Sequence, residues 1–189
     1  TDAINTLIGG FLAIFVVQEL DFTDDQVQLL LGIAIVAAIA GGIAAGRLTD
    51  RYGPRRVLFW ALYTWIVAMV GGIAAAATGQ GALAWAIGPF GGLALGATWA
   101  SDRVFMARIS PPRYLGEFYG LYATVGRFAT VLGPLIWGVI VNRLNLPRTV
   151  AMAALVGFIV AGRLVLGGVS DRIRVWSPED VGAPAPESG

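Results

Sequence analysis

Residues 57–101 read VLFWALYTWIVAMVGGIAAAATGQGALAWAIGPFGGLALGATWAS, a run of 45 residues without a charged side chain. A helix crosses the hydrocarbon core of a bilayer with about 20 apolar residues. The run therefore predicts two membrane-spanning helices, joined by a tight turn where residues 78–81 read Thr-Gly-Gln-Gly. Since 57% of the whole chain is hydrophobic, we predict an all-α integral membrane protein.

Outside this run, further apolar windows bring the number of predicted crossings to six. Glycine, proline and acidic residues separate the windows, and each window is close to the length of one crossing at about 1.5 Å per residue. The windows cover approximately residues 3–20, 25–48, 57–77, 82–108, 117–143 and 148–169. We therefore expect a six-helix bundle over residues 1–170 and a disordered tail over 171–189, which is rich in proline.

Arginine is the only basic residue type in the chain, and its distribution is uneven. Ten of the thirteen arginines fall at one set of helix ends, whereas the first loop on the opposite side is acidic. The positive-inside rule then places the arginine-rich ends in the cytoplasm, and an even number of crossings places both chain ends there too. We expect a multi-pass protein of a bacterial cytoplasmic (inner) membrane.

The composition also excludes several kinds of function. The chain contains neither Cys nor His, which excludes a disulfide framework, a Cys or His metal site and a proton relay through histidine. The sequence shows no phosphate-binding glycine loop after a strand and no pair of carboxylates at a plausible shared site. We therefore expect no enzymatic activity, no cofactor or metal and no nucleic-acid partner.

The connection between the second and third windows reads GRLTDRYGPRR over residues 46–56. Gly46 would let the second helix lie close to a neighbour, and Gly53 would allow a tight turn with positive φ. Asp50 stands where a carboxylate can accept backbone N–H groups from the start of other helices. The arginines that follow can pair with carboxylates or lipid phosphates. A simple stop-transfer cluster would explain the arginines, but not the glycines and the aspartate.

This loop resembles the signature sequence of the major facilitator superfamily, which has a glycine, then Asp-Arg, then a glycine followed by basic residues. Pro54 departs from the commonest form and should stiffen the turn. The resemblance implies one six-helix half of a twelve-helix fold. Residues 2–6, 99–103 and 110–122 further resemble the C-terminal half of one branch. That branch contains the autophagy-related vacuolar amino-acid effluxer and its bacterial relatives.

The resemblance implies a secondary active transporter that moves a small solute by alternating access, with amino acids as the candidate class of solute. Its partners would be the lipid bilayer, that solute, and either a missing N-terminal six-helix half or a second copy of this chain. The residues predicted to form its gating loop are Gly46, Asp50, Arg51, Gly53, Arg55 and Arg56. The alternative is a non-transporting scaffold or accessory subunit of a larger membrane complex, because six helices alone cannot enclose a cavity between two halves.

Polar side chains inside the predicted helices are costly and therefore indicate function. Arg127 lies about ten residues into the fifth predicted helix, so it needs a carboxylate such as Asp2 or Glu117, a wet cavity or an anionic substrate. A structural ion pair is the alternative. Asp2 and Asn5 are further candidates for the cavity lining, although Asp2 could simply mark a helix end. A cytoplasmic gate network is predicted from Asp102, Arg103, Arg113 and Glu117.

Small residues and prolines predict how the helices pack. Glycines four residues apart lie on one helix face and favour close packing. Such pairs are Gly88 with Gly92, Gly92 with Gly96, and Gly116 with Gly120. Pro89 and Pro134 are expected to interrupt or kink their helices, because proline cannot donate the backbone hydrogen bond.

Overall fold

The protein is described by a computed structural model, which covers residues 15–169. Between these limits every regular element is helical. The end of helix α1 covers residues 15–20. The remaining helices are α2 Asp24–Tyr52, α3 Pro54–Thr78, α4 Gly81–Ala84, α5 Ile87–Ile109, α6 Leu115–Gly138 and α7 Arg148–Gly168. A 3₁₀ turn at Pro112–Tyr114 precedes α6, and a π-helical turn at Val139–Arg143 follows it.

Five helical segments of the described chain are long and apolar enough to cross a membrane. They are Asp24–Tyr52, Pro54–Thr78, Gly81–Ile109, Pro112–Arg143 and Arg148–Gly168. The prediction of an all-helical membrane bundle is therefore confirmed. Most of the first predicted crossing and the predicted tail at 171–189 lie outside the described residues, so the total of six crossings stays a prediction.

Local sequence accounts for both ends of α2. At its start, the Thr23 hydroxyl accepts a hydrogen bond from the backbone N–H of Gln26 at 3.4 Å. The Gln26 side chain in turn accepts from the N–H of Thr23 at 3.0 Å, which completes a capping box. At its end, Gly53 has a φ of +86°, and its N–H donates to the carbonyl of Thr49. The predicted glycine turn is confirmed, and Pro54 begins α3 directly after it.

The two prolines act differently on their helices. Pro89 lies in the first turn of α5, and the helical hydrogen bonding is interrupted one turn earlier, at Trp85 and Ala86. The interruption follows because Pro89 has no N–H to donate to the carbonyl four residues back. Pro134 lies inside α6 without ending it, and the π-helical turn begins five residues later, at Val139.

Helices α2 and α5 form the most extensive helix–helix contact in the described chain, and glycines make it possible. A Cβ atom on Gly92 would overlap the carbonyl oxygen of Ala34, and one on Gly96 would overlap that of Ala38. One turn earlier, a Cβ on Gly88 would lie 3.0 Å from the carbonyl oxygen of Leu30. The predicted glycine face on α5 is thus confirmed, and its neighbour is the backbone of α2.

Helix α3 packs on another face of α5, and α7 packs on α3. Trp65 of α3 is fully buried at the centre of this arrangement. Its indole N–H donates to the Thr98 hydroxyl of α5 at 3.3 Å, and that hydroxyl donates to the carbonyl of Ala94 at 2.7 Å. Since both polar groups are satisfied, the tryptophan joins α3 to α5 without an unpaired polar atom.

Helix α6 is the least buried membrane-length helix of the described part of the chain. Its glycines have the spacing that predicts close packing. However, if a Cβ atom is added to Gly116 or Gly120, no atom of another described element lies within 4 Å of it. The close packing expected for this pair is therefore absent from residues 15–169. The contact between α6 and the rest of the bundle depends on other side chains.

Candidate functional site

A cavity of about 470 Å³ lies between α3, α5, α6 and α7. This volume is within the range of pockets that hold small molecules. Most of the lining is apolar and includes Leu62 of α3 and Val125 of α6. Among the described lining residues, three polar side chains interrupt it, namely Thr98, Asp102 and Tyr122. The cavity therefore combines apolar walls with a few polar groups, as is usual for a small-molecule site.

Asp102 is the charged group of this cavity. It lies on α5, seven residues before the end of the helix at Ile109, which places it about 10 Å along the helix axis from that end. The Tyr122 hydroxyl donates a hydrogen bond to Asp102 Oδ2 at 2.6 Å, and the N–H of Arg103 donates to Oδ1 at 2.6 Å. Because a charged group inside a membrane bundle is costly, a half-buried carboxylate there is a candidate functional residue.

Two tyrosines attach α6 to α5. Tyr119 and Tyr122 are three residues apart, so they lie on one face of α6. Their rings meet edge to face, with centroids 6.3 Å apart. The Tyr119 hydroxyl donates to the carbonyl of Arg103 at 2.9 Å, next to the bond between Tyr122 and Asp102. This polar attachment contrasts with the glycine contact between α2 and α5.

The predicted cytoplasmic gate network is only partly assembled in the structure. Asp102 bonds to Tyr122, and the guanidinium of Arg113 lies 5.6 Å from the ring centre of its neighbour Tyr114. The side chains of Arg103 and Glu117 make no hydrogen bond or ion pair with any described residue. Sequence reasoning missed Tyr122, although two tyrosines three apart on a predicted helix were a usable signal.

Arg55 is the residue of the predicted gating loop with the clearest role in the structure. Its Nε donates to the carbonyl of Leu166 at 3.3 Å, and a terminal nitrogen donates to that of Gly167 at 2.5 Å. These carbonyls belong to the last turn of α7, where a positive charge is favoured by the helix dipole. Arg55 thus fixes the start of α3 to the end of α7. Sequence analysis expected a carboxylate or lipid phosphate instead.

The other charged residues of the loop are exposed. Asp50 and Arg56 make no side-chain hydrogen bond or ion pair with the described residues. Arg51 lies over the ring of its neighbour Tyr52, 5.4 Å from the ring centre. The expectation that Asp50 accepts backbone N–H groups is therefore not met within residues 15–169.

Gly46 also differs from its predicted role. A Cβ atom on Gly46 would meet no atom of a neighbouring described element within 4 Å. The close approach of α2 occurs one turn earlier, where a Cβ on Gly41 would lie 2.5 Å from the carbonyl oxygen of Leu93. The prediction that Gly46 permits close packing is wrong for the described residues, because Gly41 lies on the face toward α5 and Gly46 does not.

The structure places Arg127 on the exposed part of α6, outside the lining of the 470 Å³ cavity. Its guanidinium makes no hydrogen bond or ion pair with a residue of the described range, Glu117 included. Asp2 and Asn5, the other two candidates for a substrate cavity, lie outside the described residues.

The opposite end of the bundle carries a second polar group that the sequence did not reveal. Glu19 at the end of α1 and Arg148 at the start of α7 form an ion pair with an N–O distance of 2.5 Å. In the segments that follow α1 and precede α5, Phe22 and Trp85 pack with ring centroids 5.3 Å apart. The ion pair joins the first and last described helices on the side away from the arginine-rich ends, and the ring contact joins two connecting segments.

Comparison with known proteins agrees with this architecture. The model of the Major Facilitator Superfamily matches residues 1–184. The Uncharacterized MFS-type transporter YxiO of Bacillus subtilis (strain 168) is 22% identical over 153 residues, which are 81% of this chain and 35% of that protein. No solved structure matches the chain.

A second relative is the Putative metabolite transport protein of Haemophilus influenzae (strain ATCC 51907 / DSM 11121 / KW20 / Rd). It is 30% identical over 135 residues, which are 70% of this chain and 31% of that protein. The chain spans about a third of the length of these curated relatives. Because the family match covers nearly all residues and the described helices are of membrane-spanning length, this chain belongs to the major facilitator superfamily.

Proposed function

We propose that this chain forms a six-helix half of a secondary active transporter, which moves a small solute across a bacterial cytoplasmic membrane by alternating access. The observation that supports this most is the 470 Å³ cavity, in which Asp102 is set among apolar walls between four helices. The relatives are roughly three times as long as the matched region. A second six-helix bundle, in the same polypeptide or from a second copy, would complete the pathway.

The chemistry of the cavity favours a solute that carries a hydrogen-bond donor, and best a protonated amine. A protonated amine forms a short, charge-assisted hydrogen bond with a carboxylate, and the Tyr122 hydroxyl already donates to Asp102 Oδ2. A solute amine that reached Asp102 would compete with Tyr122, and so would weaken the attachment of α6 to α5. Amino acids fit this requirement, and the apolar walls would hold the rest of the molecule.

Residues of the gating loop take part in the same proposal. Asp50 and Arg56 are charged, exposed and without a partner in the described range. We infer that they meet the second bundle in one of the two access states, with Gly46 leaving room for its approach. Both ends of the chain would then lie in the cytoplasm, as the arginine distribution predicts. Arg127, Asp2 and Asn5 would face the pathway between the bundles.

The test uses the absence of cysteine from these residues. In the full-length protein, with any cysteine elsewhere replaced, Ala129→Cys places a thiol on the cavity lining. A membrane-impermeant maleimide should label it both in intact cells and in inside-out vesicles, because alternating access opens the cavity to each side in turn. Val67→Cys, on the exposed apolar face of α3, is the matched control and should resist labelling from both sides.

The labelling result separates transport from the alternative function. If Ala129→Cys resists labelling from both sides as Val67→Cys does, the cavity is not a water-filled pathway. The non-transporting scaffold or accessory subunit would then be the better account. Labelling from one side only would contradict alternating access, while leaving an open cavity in place.

A further inference from the structure

Two arginines flank one aromatic ring where α3 and α7 meet. The guanidinium carbon of Arg55 lies 5.4 Å from the ring centre of Phe59, and that of Arg163 lies 5.3 Å from the same centre. Arg163 also lies 5.2 Å from the ring centre of Tyr63, and its Nε donates to the Tyr63 hydroxyl at 2.7 Å. Two positive charges are therefore held beside a single ring.

The two arginines differ in how well they are satisfied. Arg55 donates to two carbonyls at the end of α7, which carry partial negative charge. Arg163 has five N–H donors, and only the Nε–H has a hydrogen-bond acceptor among the described residues. Neither arginine forms an ion pair with a described carboxylate. The half-buried guanidinium of Arg163 thus keeps four donors and a full charge for a ligand from outside residues 15–169.

The site lies near the arginine-rich end of the bundle, where the predicted orientation places the lipid headgroups. Arg163 is five residues before the end of α7 at Gly168, which is about 7 Å along the helix. Exposed aromatic residues, which favour the membrane–water interface, surround this level: Tyr63, and Trp60 packed edge to face on Tyr52. A guanidinium at this depth is within reach of a lipid phosphate.

The faces beside the site point to a lipid rather than a soluble anion. Val67 of α3 is 51% exposed, and Leu164 and Val165 of α7 are 66% and 73% exposed. These apolar side chains suit contact with acyl chains. A ligand with an acyl chain next to its phosphate would therefore satisfy Arg163 and cover these residues together.

We propose that the groove between α3 and α7 binds the phosphate of an anionic phospholipid. Arg163 supplies the hydrogen-bond donors, and Arg55 adds a second positive charge. Phe59 and Tyr63 hold the Arg163 guanidinium in place. Basic pockets between transmembrane helices are known ways to bind such headgroups. None of Arg55, Phe59, Tyr63 and Arg163 is among the residues that line the 470 Å³ cavity, and the proposal does not depend on the proposed transport function.

The test measures lipid retention by the full-length protein. The protein is reconstituted in nanodiscs of equal parts phosphatidylcholine and phosphatidylglycerol, released into detergent, and examined by native mass spectrometry. Arg163→Gln should lower the retained phosphatidylglycerol about five-fold, the effect of one arginine at a membrane surface. Arg56→Gln is the matched control: it removes an exposed arginine next to Arg55 that contacts neither Phe59 nor Tyr63, and it should lower retention less than Arg163→Gln does.

Three further measurements decide the remaining outcomes. Tyr63→Phe keeps both cations and should retain the lipid. Equal retention by Arg163→Gln and Arg56→Gln would overturn the proposal. The proposal would also be overturned if inorganic phosphate displaced the lipid and raised the melting temperature of the protein as strongly as phosphatidylglycerol does, with both effects lost in Arg163→Gln. The site would then be one for free phosphate. If Arg163→Gln does not fold, Arg163→Met removes the charge and the donors while keeping an unbranched side chain, and full retention by that variant would also contradict the proposal.

Discussion

The α2–α5 contact and the surroundings of α6 use the same sequence signal with opposite results. On α5, Gly92 and Gly96 bring the helix so close to α2 that no Cβ atom would fit. On α6, Gly116 and Gly120 have the same spacing, and a Cβ on either would meet no described neighbour within 4 Å. Glycine spacing therefore shows which face can pack closely, but not whether a partner helix within the same bundle does so.

The polar contacts differ in the same way. Between α2 and α5, the Thr49 and Ser101 hydroxyls meet at 3.2 Å and are both buried. Between α5 and α6, the bond from Tyr122 to Asp102 is only partly buried and borders a cavity. The first contact is suited to holding two helices as one body. The second can be broken by a ligand, and this difference motivates three predictions.

The largest effect is expected from Gly96→Ala, which breaks the close contact. The new methyl group would overlap the carbonyl oxygen of Ala38 and lie 2.7 Å from the N atom of Gly42. Backbone atoms cannot yield as a flexible side chain can, so the free energy of unfolding should fall by about 3 kcal/mol. The measurement is unfolding of the full-length protein in sodium dodecyl sulfate, followed by tryptophan fluorescence.

Gly120→Ala is the matched control for that experiment. The methyl group enters open space, and alanine favours a helix more than glycine does, so stability should rise by about 0.5 kcal/mol. An equal loss of stability in both variants would show that α6 is packed as tightly as α2, which would remove the contrast between the two regions.

An intermediate effect is expected from Tyr122→Phe, which removes the hydroxyl that bonds to Asp102. A hydrogen bond to a charged group contributes about 1.5 kcal/mol, and the loss should fall on α6 because it has few other contacts with helices in the described part of the chain. Hydrogen–deuterium exchange should therefore quicken in the amides of α6 and stay unchanged in α2. Tyr114→Phe is the control, because the Tyr114 hydroxyl has no described hydrogen-bond partner, and it should leave amide exchange in both helices unchanged. Faster exchange in α2 with Tyr122→Phe would contradict the prediction.

The smallest effect is expected from the buried hydroxyl pair. Thr49→Val should lower the free energy of unfolding by about 0.6 kcal/mol, the average for side-chain hydrogen bonds in membrane proteins. A double-mutant cycle with Ser101→Ala isolates the contribution of the pair. Thr124→Val on α6 is the control, since that hydroxyl bonds only within its own helix, to the carbonyl of Gly120. A coupling energy of zero would mean that the pair does not join α2 to α5.

Much of the fold follows from local sequence. The apolar runs predict helices because a membrane requires every backbone group to be satisfied within its own segment. The turn at Gly53 and the cap at Thr23 depend on residues next to each other in the chain. Such features could be predicted because neighbouring residues determine them without reference to the rest of the fold.

The candidate site could be predicted only in part. Asp102 was recognisable as a charge inside an apolar helix, but its partner Tyr122 is twenty residues away, on another helix. Arg55 binds carbonyl groups of α7, and backbone acceptors leave no trace in a sequence pattern. Charge pairing alone suggested Glu117 as a member of the gate network. In the structure, however, the face of α6 that meets α5 carries Tyr119 and Tyr122.

The single-residue link at Gly53 has a mechanical consequence. Helix α3 has 25 residues and is therefore about 37 Å long, so a rotation of about 10° at Gly53 would carry its far end through about 6 Å. The Trp65–Thr98 bond and the glycine contact of α5 with α2 prevent α3 from making that swing alone. Helices α2 and α3 are the two arms of this joint, and α5 is attached to both, so the angle at Gly53 is held fixed. Any tilt of this part of the bundle therefore moves α2, α3 and α5 together as one rigid body.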